Sequence, residues 1–140
     1  MQRRTVANLL RDDHILASVE ATATVRDAAK RMLAHDCGSV VVLNQKQLAG
    51  IFTERDLLMR VVSKGLDPDK TRVSEVMTAN PRTVSAQELA LVCLRMMEDG
   101  NYRHVPVMRD GQVIGVISRR DFPSDEIAQL EIERRYWDRV

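Results

Sequence analysis

The chain has 140 residues, of which 44% are hydrophobic and 29% charged, a composition typical of a soluble globular domain. Its 21 basic and 20 acidic residues nearly cancel, so charge gives no general argument for binding nucleic acid or a membrane surface. No apolar stretch approaches the roughly 18 residues that span a bilayer, and we expect a cytoplasmic protein. Cys37 and Cys93 lack CxxC spacing and are interpreted as reduced, mostly buried thiols.

The first half of the chain alternates between helical and extended patterns. Apolar residues at helical spacing predict one helix, and a β-branched run predicts a strand buried on both faces. Gly65 marks a helix end, and the Asp-Pro-Asp segment at 67–69 is the connector to the second half. In chain order, the predicted elements are a lead-in at 6–10, an extended segment near Val19, a helix over 25–35, strands at 40–43 and 48–53, and a helix over 54–64.

The second half predicts the same elements in the same order. Asp110 and Gly111 form a strong hairpin signal between its two strands. Pro106 cannot donate a ladder hydrogen bond, so its strand should contain an unpaired or irregular stretch. Pro123 should stop the following helix after about one turn. The predicted elements are a lead-in at 73–78, an extended segment near Val84, a helix over 90–98, strands at 105–108 and 113–118, and a final helix over 124–140.

The two halves are an internal repeat with an offset of 65 residues. Residues 32–56 align with 97–121 without a gap, while the lead-in at 6–10 resembles 73–77 at an offset of 67. Two units that each hold two or three strands cannot cover their sheets alone, but they can when stacked face to face. We therefore predict an α/β (α+β) fold, with two small sheets and their helices packed about a pseudo-two-fold axis.

Two segments of the repeat carry a family signature of glycine, two apolar residues, Ser or Thr, two variable residues and Asp. Together with Val105, Pro106 and Val107, they resemble a pair of CBS (cystathionine-β-synthase) domains, called a Bateman module. The segments are Gly50-Ile51-Phe52-Thr53-Glu54-Arg55-Asp56 and Gly115-Val116-Ile117-Ser118-Arg119-Arg120-Asp121. The resemblance covers roughly residues 5–122 and implies one module over 1–140, with repeats at 5–65 and 72–122 and a C-terminal helix at 124–140.

The signature has two chemical interpretations. A helix N-terminus offers unpaired backbone N–H groups, and a carboxylate three residues later can accept two hydrogen bonds from a ribose diol. The same spacing is also that of a helix cap with an acidic first turn. The resemblance implies that the Asp binds ribose, and capping is compatible with binding.

The resemblance implies two ligand clefts, each built from both repeats. Arg103 and His104 equip the first cleft better for phosphate, and both also have an ordinary structural interpretation. Arg55 and Arg120 could reach phosphates or form surface salt bridges. The first cleft would contain Thr53 and Asp56 opposite Tyr102, Arg103 and His104, and the second would contain Ser118 and Asp121 opposite Gly38, Ser39 and Val40.

The remaining candidate residues have structural interpretations. His14 and His35 have no convincing metal-ligand spacing, so we predict no metal site and interpret both as structural. On the final helix, Tyr136 and Trp137 form the aromatic cluster of the sequence, and either pack on their own module or contact a second subunit.

The resemblance therefore predicts a non-enzymatic regulatory module that binds AMP, ADP or ATP, and after these an NAD-type or S-adenosylmethionine-type ligand. No cofactor is required, and the expected partners are a second copy of the chain, as a homodimer, and a regulated protein. The alternative is a protein-interaction scaffold with empty sites. Nucleophile–base spacing, metal motifs and P-loop glycines are not recognisable in the sequence, which disfavours an enzyme.

Overall fold

The computed structural model of the chain describes residues 4–10 and 14–138, without the side chains of Glu126, Leu130, Trp137 and Asp138. Within these residues the helices and strands alternate in both halves as the sequence predicts. The elements are α1 (Val6–Leu9), β1 (Ser18–Glu20), α2 (Val25–Ala34), β2 (Ser39–Asn44), β3 (Gln47–Thr53), α3 (Glu54–Asp56), α4 (Val73–Val76), β4 (Thr78–Ala79), β5 (Val84–Ser85), α5 (Ala90–Gly100), β6 (His104–Arg109), β7 (Gln112–Ser118) and α6 (Ser124–Asp138).

The strands form two small sheets and the α+β fold is confirmed, but the first sheet has four strands where two or three were predicted, because β4 adds to its edge. One sheet has the order β1-β2-β3-β4 and the other β5-β6-β7. In each, a parallel strand precedes an antiparallel hairpin, and both hairpins carry a bulge at the same repeat position, between Val42 and Leu43 and between Val107 and Met108. Strands β3 and β7 contact each other between the two sheets.

Pro106 shortens the second sheet as its chemistry predicts. In the first repeat, the backbone N–H of the equivalent residue, Val41, donates to the carbonyl oxygen of Ala17 at 3.0 Å. Pro106 has no N–H, and the pairing of β5 with β6 begins one residue later, at Val84 with Val107. The backbone just before Val84 is therefore not held against β6 by that hydrogen bond.

The hairpin turns have the same backbone geometry but different residues. Asp110 and Gly111 both have positive φ, as the Asp-Gly signal predicts. In the first repeat Gln45 and Lys46 adopt the same left-handed conformation, at φ 51° and 69°, although neither residue favours it.

The segments after β3 and β7 differ, as Pro123 predicts. After β3 the chain forms α3 and continues as a π-helix over Leu57–Val62, which is shorter and wider than the predicted α-helix to residue 64. Gly65 follows with φ +66°, consistent with its predicted role as a helix stop. After β7 the chain forms a single 3₁₀ turn, Arg119–Asp121, before α6 begins at Ser124.

Each repeat has its own hydrophobic core, and each core contains a segment from the other half of the chain. Val6 of α1 is fully buried among residues of the second repeat such as Val107 and Ile117. Val73 of α4 is fully buried among residues of the first repeat such as Phe52. The lead-in segments therefore cross over, so that neither repeat completes its core alone.

Equivalent hydrogen bonds fix both crossings. The N–H of Val6 donates to the carbonyl of Glu88 at 2.8 Å, and the N–H of Val73 donates to that of Ala23, also at 2.8 Å. Single antiparallel bridges join Thr5 to Leu89 and residue 24 to residue 72. The lead-in residues of the two repeats are 67 positions apart in the sequence, and the residues that they bond are 65 positions apart. The two crossings are therefore equivalent, as the predicted pseudo-two-fold arrangement requires.

Helix α6 packs on α5 of its own chain. Arg95 forms an ion pair with Glu133 at 2.6 Å, and Arg134 forms one with Asp99 at 2.5 Å. Ile127 packs against the second core. The side chain of Tyr136 is two-thirds exposed, while the prediction for Trp137 lies outside the described side chains.

Candidate functional site

A helix cap closes the end of each signature, and in the first repeat it is reciprocal. The hydroxyl of Thr53 accepts the N–H of Asp56 at 3.1 Å, and Oδ2 of Asp56 accepts the N–H of Thr53 at 3.0 Å. In the second repeat, Oδ2 of Asp121 accepts the N–H of Ser118 at 2.6 Å and its hydroxyl at 3.1 Å. The capping interpretation of the signature is therefore correct, and these bonds use one oxygen of each carboxylate.

The second oxygen of Asp56 lies near a cation. Oδ1 of Asp56 is 3.6 Å from Nε of Arg60, whose Nη1 donates to the carbonyl of Met77 at 2.9 Å. The Asp56 side chain is 14% exposed and that of Arg60 is 47% exposed. The cap thus holds Asp56 in a fixed orientation at the wall of a cleft while Arg60 partly balances its charge.

Cleft one has a volume of about 220 Å³ and joins the two repeats. The sequence predicts five residues here, and the structure places all five in the lining. Three of them come from the second repeat and face the cap of the first. The lining residues are Ile51, Thr53, Glu54, Arg55, Asp56, Thr78, Pro81, Arg82, Asn101, Tyr102, Arg103 and His104.

Cleft two is larger, about 550 Å³. Four of the predicted residues, Ser118, Asp121, Gly38 and Ser39, lie in its lining. Val40 does not, and this prediction is corrected: its side chain is fully buried in the first core, because alternate residues of β2 point to opposite faces. The lining residues are Leu10, His14, Ile15, Leu16, Ala17, His35, Asp36, Cys37, Gly38, Ser39, His104, Gly115, Val116, Ser118, Arg120 and Asp121.

His104 lies where the two clefts meet. It lines both of them and also a third opening of about 700 Å³, which we call the shared cleft and which is bordered by Glu54, Arg103 and Arg120. Burial lowers the pKa of His104, and Arg120 and Arg103 lower it further, against the opposing effects of Glu54 and Asp121. The neutral form of the imidazole is therefore favoured.

The signature glycines make room for the crossing segments. A Cβ on Gly50 would overlap the side chain of Met77 and lie 2.7 Å from the carbonyl oxygen of Thr78. A Cβ on Gly115 would lie 3.0 Å from Cδ2 of Leu10. Because glycine has no Cβ, the lead-in of the opposite repeat can pass close to the backbone at each of these positions.

The arginines of the signature both border clefts. Arg55 lines cleft one, and its Nε lies 3.3 Å from Sδ of Met59. Arg120 lines cleft two and the shared cleft. Arg119, by contrast, forms an ion pair with Glu98 on α5.

The sequence reasoning missed the segment that precedes the first strand of each repeat. Arg82 lines cleft one, and residues 15–17 line cleft two. Ala17 corresponds to Arg82 at the offset of 65. If one of these two residues had been assigned to a cleft, the repeat would have predicted that the other lines the second cleft. Asp36 and Asn101 are another missed pair at the same offset, and both have positive φ.

The predicted structural histidines lie at cleft two. Nε2 of His14 is 2.9 Å from the carbonyl oxygen of Ile114, consistent with a structural role, and His35 lines the same cleft. Among residues 4–10 and 14–138, no group of three or more His, Cys, Asp or Glu side chains is arranged to hold a metal ion. In the same residues, no helix combines the length and apolar character needed to cross a membrane.

Relatives of known sequence match most of the chain. The CBS domain-containing protein CBSCBSPB2 of Arabidopsis thaliana is 36% identical over 133 residues, which are 86% of this chain but 25% of the relative. An uncharacterized protein of Methanopyrus kandleri is 33% identical over 140 residues, 96% of this chain and 70% of that protein. The chain thus spans about a quarter of the length of the Arabidopsis relative.

Solved structures show the same fold. A CBS-domain containing protein from Agrobacterium tumefaciens has a TM-score of 0.76 at 33% identity, with 84% of this chain and 95% of that chain covered. A CBS domain protein from Pyrobaculum aerophilum complexed with AMP has a TM-score of 0.82 at 29% identity, with 92% and 99% covered. The profile of the CBS domain family matches residues 6–63 and 73–122, and the chain belongs to the CBS domain family.

Proposed function

We propose that the chain is a non-catalytic regulatory module that binds an adenine nucleotide, AMP, ADP or ATP, between its two repeats. The observation that carries the proposal is the composition of cleft one. A capped hydroxyl and carboxylate, Thr53 and Asp56, come from one repeat, while Tyr102, Arg103 and His104 come from the other. A ligand in this cleft contacts both repeats at once.

The chemistry of the lining suits a nucleotide. Oδ1 of Asp56 is outside the cap bonds and is the acceptor that a ribose hydroxyl requires. Tyr102 is 42% exposed and offers a ring surface for stacking, and Arg103 offers a planar, permanent cation for phosphate. The AMP complex of the Pyrobaculum aerophilum protein, at a TM-score of 0.82, supports the nucleotide as ligand class.

Binding between the repeats provides a route to regulation. A ligand changes the angle between the two repeats only if it binds one arrangement of the repeats more tightly than another. Here the lead-ins cross between the cores, so a change in the angle between the repeats also moves the segments that carry Val6 and Val73. We propose that a regulated protein partner senses this change, and that the module works in the cytoplasm, where adenine nucleotides are abundant.

We also propose that the module acts as a homodimer through the helices of its first repeat. Leu33 of α2 is 82% exposed, and Leu58 and Val62 of the π-helix are 61% and 63% exposed. In the second repeat, α6 covers the equivalent helix, α5, through its ion pairs. A second copy would bury the apolar side chains that the first repeat leaves in contact with water.

A specific observation favours the alternative, a protein-interaction scaffold with empty clefts. Thr53 and Asp56 already bond to each other in a cap, as do Ser118 and Asp121, so both pairs have a structural role without a ligand. The experiment must therefore separate the loss of a cap from the loss of a ligand contact.

Helix α2 supplies the matched control. Its N-terminus has the same cap, in which Asp27 and Thr24 bond reciprocally at 3.1 and 3.3 Å, and Asp27 lies outside both clefts. Isothermal titration with AMP, ADP and ATP should show binding to the unaltered protein and to Asp27→Ala. Asp56→Ala and Asp121→Ala should each lose one site, with circular dichroism confirming that both variants fold.

The result would separate the two functions. Absence of binding by all three nucleotides to the folded, unaltered protein would defeat the nucleotide proposal and favour the scaffold. Equal loss of affinity in Asp27→Ala and Asp56→Ala would show that Asp56 acts through the cap and does not contact the ligand.

A further inference from the structure

The two clefts are equivalent positions of one repeat, so their differences identify what each selects. Both have a capped carboxylate at the same place, Asp56 in cleft one and Asp121 in cleft two. Both have an arginine next to it in the signature, Arg55 and Arg120. With these groups held in common, selectivity must come from the positions at which the two linings differ.

Three pairs of equivalent positions make cleft one more positive than cleft two, while a fourth pair, Glu54 and Arg119, differs in the opposite direction, and Arg119 lies outside the lining of cleft two. Arg82 of cleft one corresponds to Ala17 of cleft two, and Arg103 corresponds to Gly38. Asn101 of cleft one corresponds to Asp36 of cleft two. Cleft two therefore lacks two cations that cleft one has, while each lining contains two carboxylates.

The full linings give opposite charge balances. In cleft one, Arg55, Arg82 and Arg103 outnumber the two carboxylates, Glu54 and Asp56. In cleft two, by contrast, one arginine faces two carboxylates, those of Asp36 and Asp121.

His104 does not reverse this difference. It lines both clefts, so any charge on it would be shared between them. Burial and the neighbouring Arg120 and Arg103 lower its pKa, against Glu54 and Asp121, which favours the neutral ring. His14 and His35 also line cleft two.

We propose that the two clefts bind different classes of adenosine compound. Cleft one takes the multiply phosphorylated nucleotides ADP and ATP, with the phosphates on Arg82 and Arg103, and cleft two takes adenosine or an adenosine compound of little negative charge. This inference rests on the proposed function, because it assigns a ligand class to each cleft of the same module.

Cleft one is smaller than the usual small-molecule site, so a nucleotide there also needs the space of the shared cleft. Cleft two, at about 550 Å³, lies within the usual range of small-molecule sites and can enclose a whole nucleoside. Cleft one, at about 220 Å³, is smaller, but Arg103 also borders the shared cleft of about 700 Å³. A polyphosphate chain held in cleft one can therefore extend past Arg103 into that opening.

Isolating each cleft in turn tests the proposal. Isothermal titration at pH 8 with adenosine, AMP and ATP would use Asp121→Ala to leave cleft one and Asp56→Ala to leave cleft two. In Asp121→Ala we expect ATP to bind about tenfold or more tighter than adenosine, since each hydrogen bond to a charged group contributes strongly. In Asp56→Ala we expect adenosine to bind at least as tightly as ATP.

Two further variants test the residues themselves. Arg82→Ala with Arg103→Ala, added to Asp121→Ala, should remove most of the preference for ATP, because ATP affinity should fall more than adenosine affinity. Asp36→Asn, added to Asp56→Ala, should raise ATP affinity about threefold, because it removes one anion from the lining. Asparagine fits there, since Asn101 has φ 55° at the equivalent position and Asp36 has φ 49°.

The outcomes distinguish this inference from the function on which it rests. If both isolated clefts bind nucleotides in the same order of affinity, the assignment of ligand classes is wrong and the proposed function stands. If the arginine variants leave the preference for ATP intact, Arg82 and Arg103 do not select it. If the unaltered protein binds no adenosine compound, both proposals fail.

Discussion

The backbone N–H of Val73 donates to the carbonyl oxygen of Ala23 at 2.8 Å, so the first helix of the second repeat is bound into the core of the first. Val6 makes the equivalent bond to Glu88 in the opposite direction. Two crossings of this kind make the stability of each repeat depend on a segment of the other. This dependence is the physical basis for treating the pair as one module.

The crossings predict where a distant substitution acts. Val6 is fully buried among second-repeat residues, so Val6→Ala should lower the free energy of unfolding by about 2 kcal/mol, from lost burial and the remaining cavity. Urea unfolding followed by circular dichroism measures the change. Val92→Ala, at a position 44% exposed on α5, is the control and should cost about 0.5 kcal/mol or less. Equal losses in the two variants would contradict the crossing.

The two signature glycines should differ in their tolerance of a side chain. Gly50→Ala brings a Cβ within 2.7 Å of the backbone carbonyl of Thr78, which cannot move without disturbing β4, so we expect a loss of about 1–3 kcal/mol. Gly115→Ala meets the flexible end of Leu10 at 3.0 Å and should cost about 1 kcal/mol or less. Thermal denaturation of the two variants gives the comparison, and a greater loss in Gly115→Ala would contradict this account.

The sequence predicted most of the local elements and five of the residues that line cleft one, because strand patterns and helix caps depend on neighbouring residues. Thr53 and Asp56 are three residues apart, and their cap can be inferred from that spacing alone. The crossings could not be inferred in this way, since Val6 and Val73 are both valines and suit either core equally. Arg82 was missed for a related reason: its place in cleft one depends on how the chain passes the other repeat, which local spacing does not report.

The buried His104 predicts a dependence of stability on pH. Its pKa in the folded protein lies below the ordinary value near 6.5, so below pH 6.5 the unfolded chain takes up a proton that the folded protein resists. Stability from the neutral ring is therefore present above the unfolded pKa and declines as pH falls below it. His104→Gln, which cannot titrate, should lose less stability than the unaltered protein between pH 7.5 and 5.5 in urea unfolding. Parallel pH profiles for the two proteins would show that another group is responsible.

The exposed side chains of the first repeat predict where the proposed homodimer would form its contact. Leu58→Arg places a charge on a residue that is 61% exposed and should convert the dimer to a monomer if a second copy packs there. Light scattering after gel filtration measures the mass. Ile132→Arg, on α6 and 66% exposed, is the matched control and should leave the dimer intact. Dissociation by Ile132→Arg alone would instead assign the contact with a second subunit to the C-terminal helix.

The two cysteines should differ in reactivity, and the difference reports on cleft two. Cys93 is fully buried, and burial raises the pKa of its thiol to about 11 with a smaller contribution from Glu88, so it stays protonated at pH 8. Cys37 is partly exposed and lines cleft two. A disulfide reagent at pH 8 should therefore modify one thiol per folded chain and two after denaturation, and Cys37→Ser should remove the fast reaction.

Because Cys37 borders the cleft that we assign to adenosine, saturating adenosine should slow its modification, whereas Asp121→Ala should abolish that protection. Modification at the same rate with and without adenosine would place the ligand elsewhere.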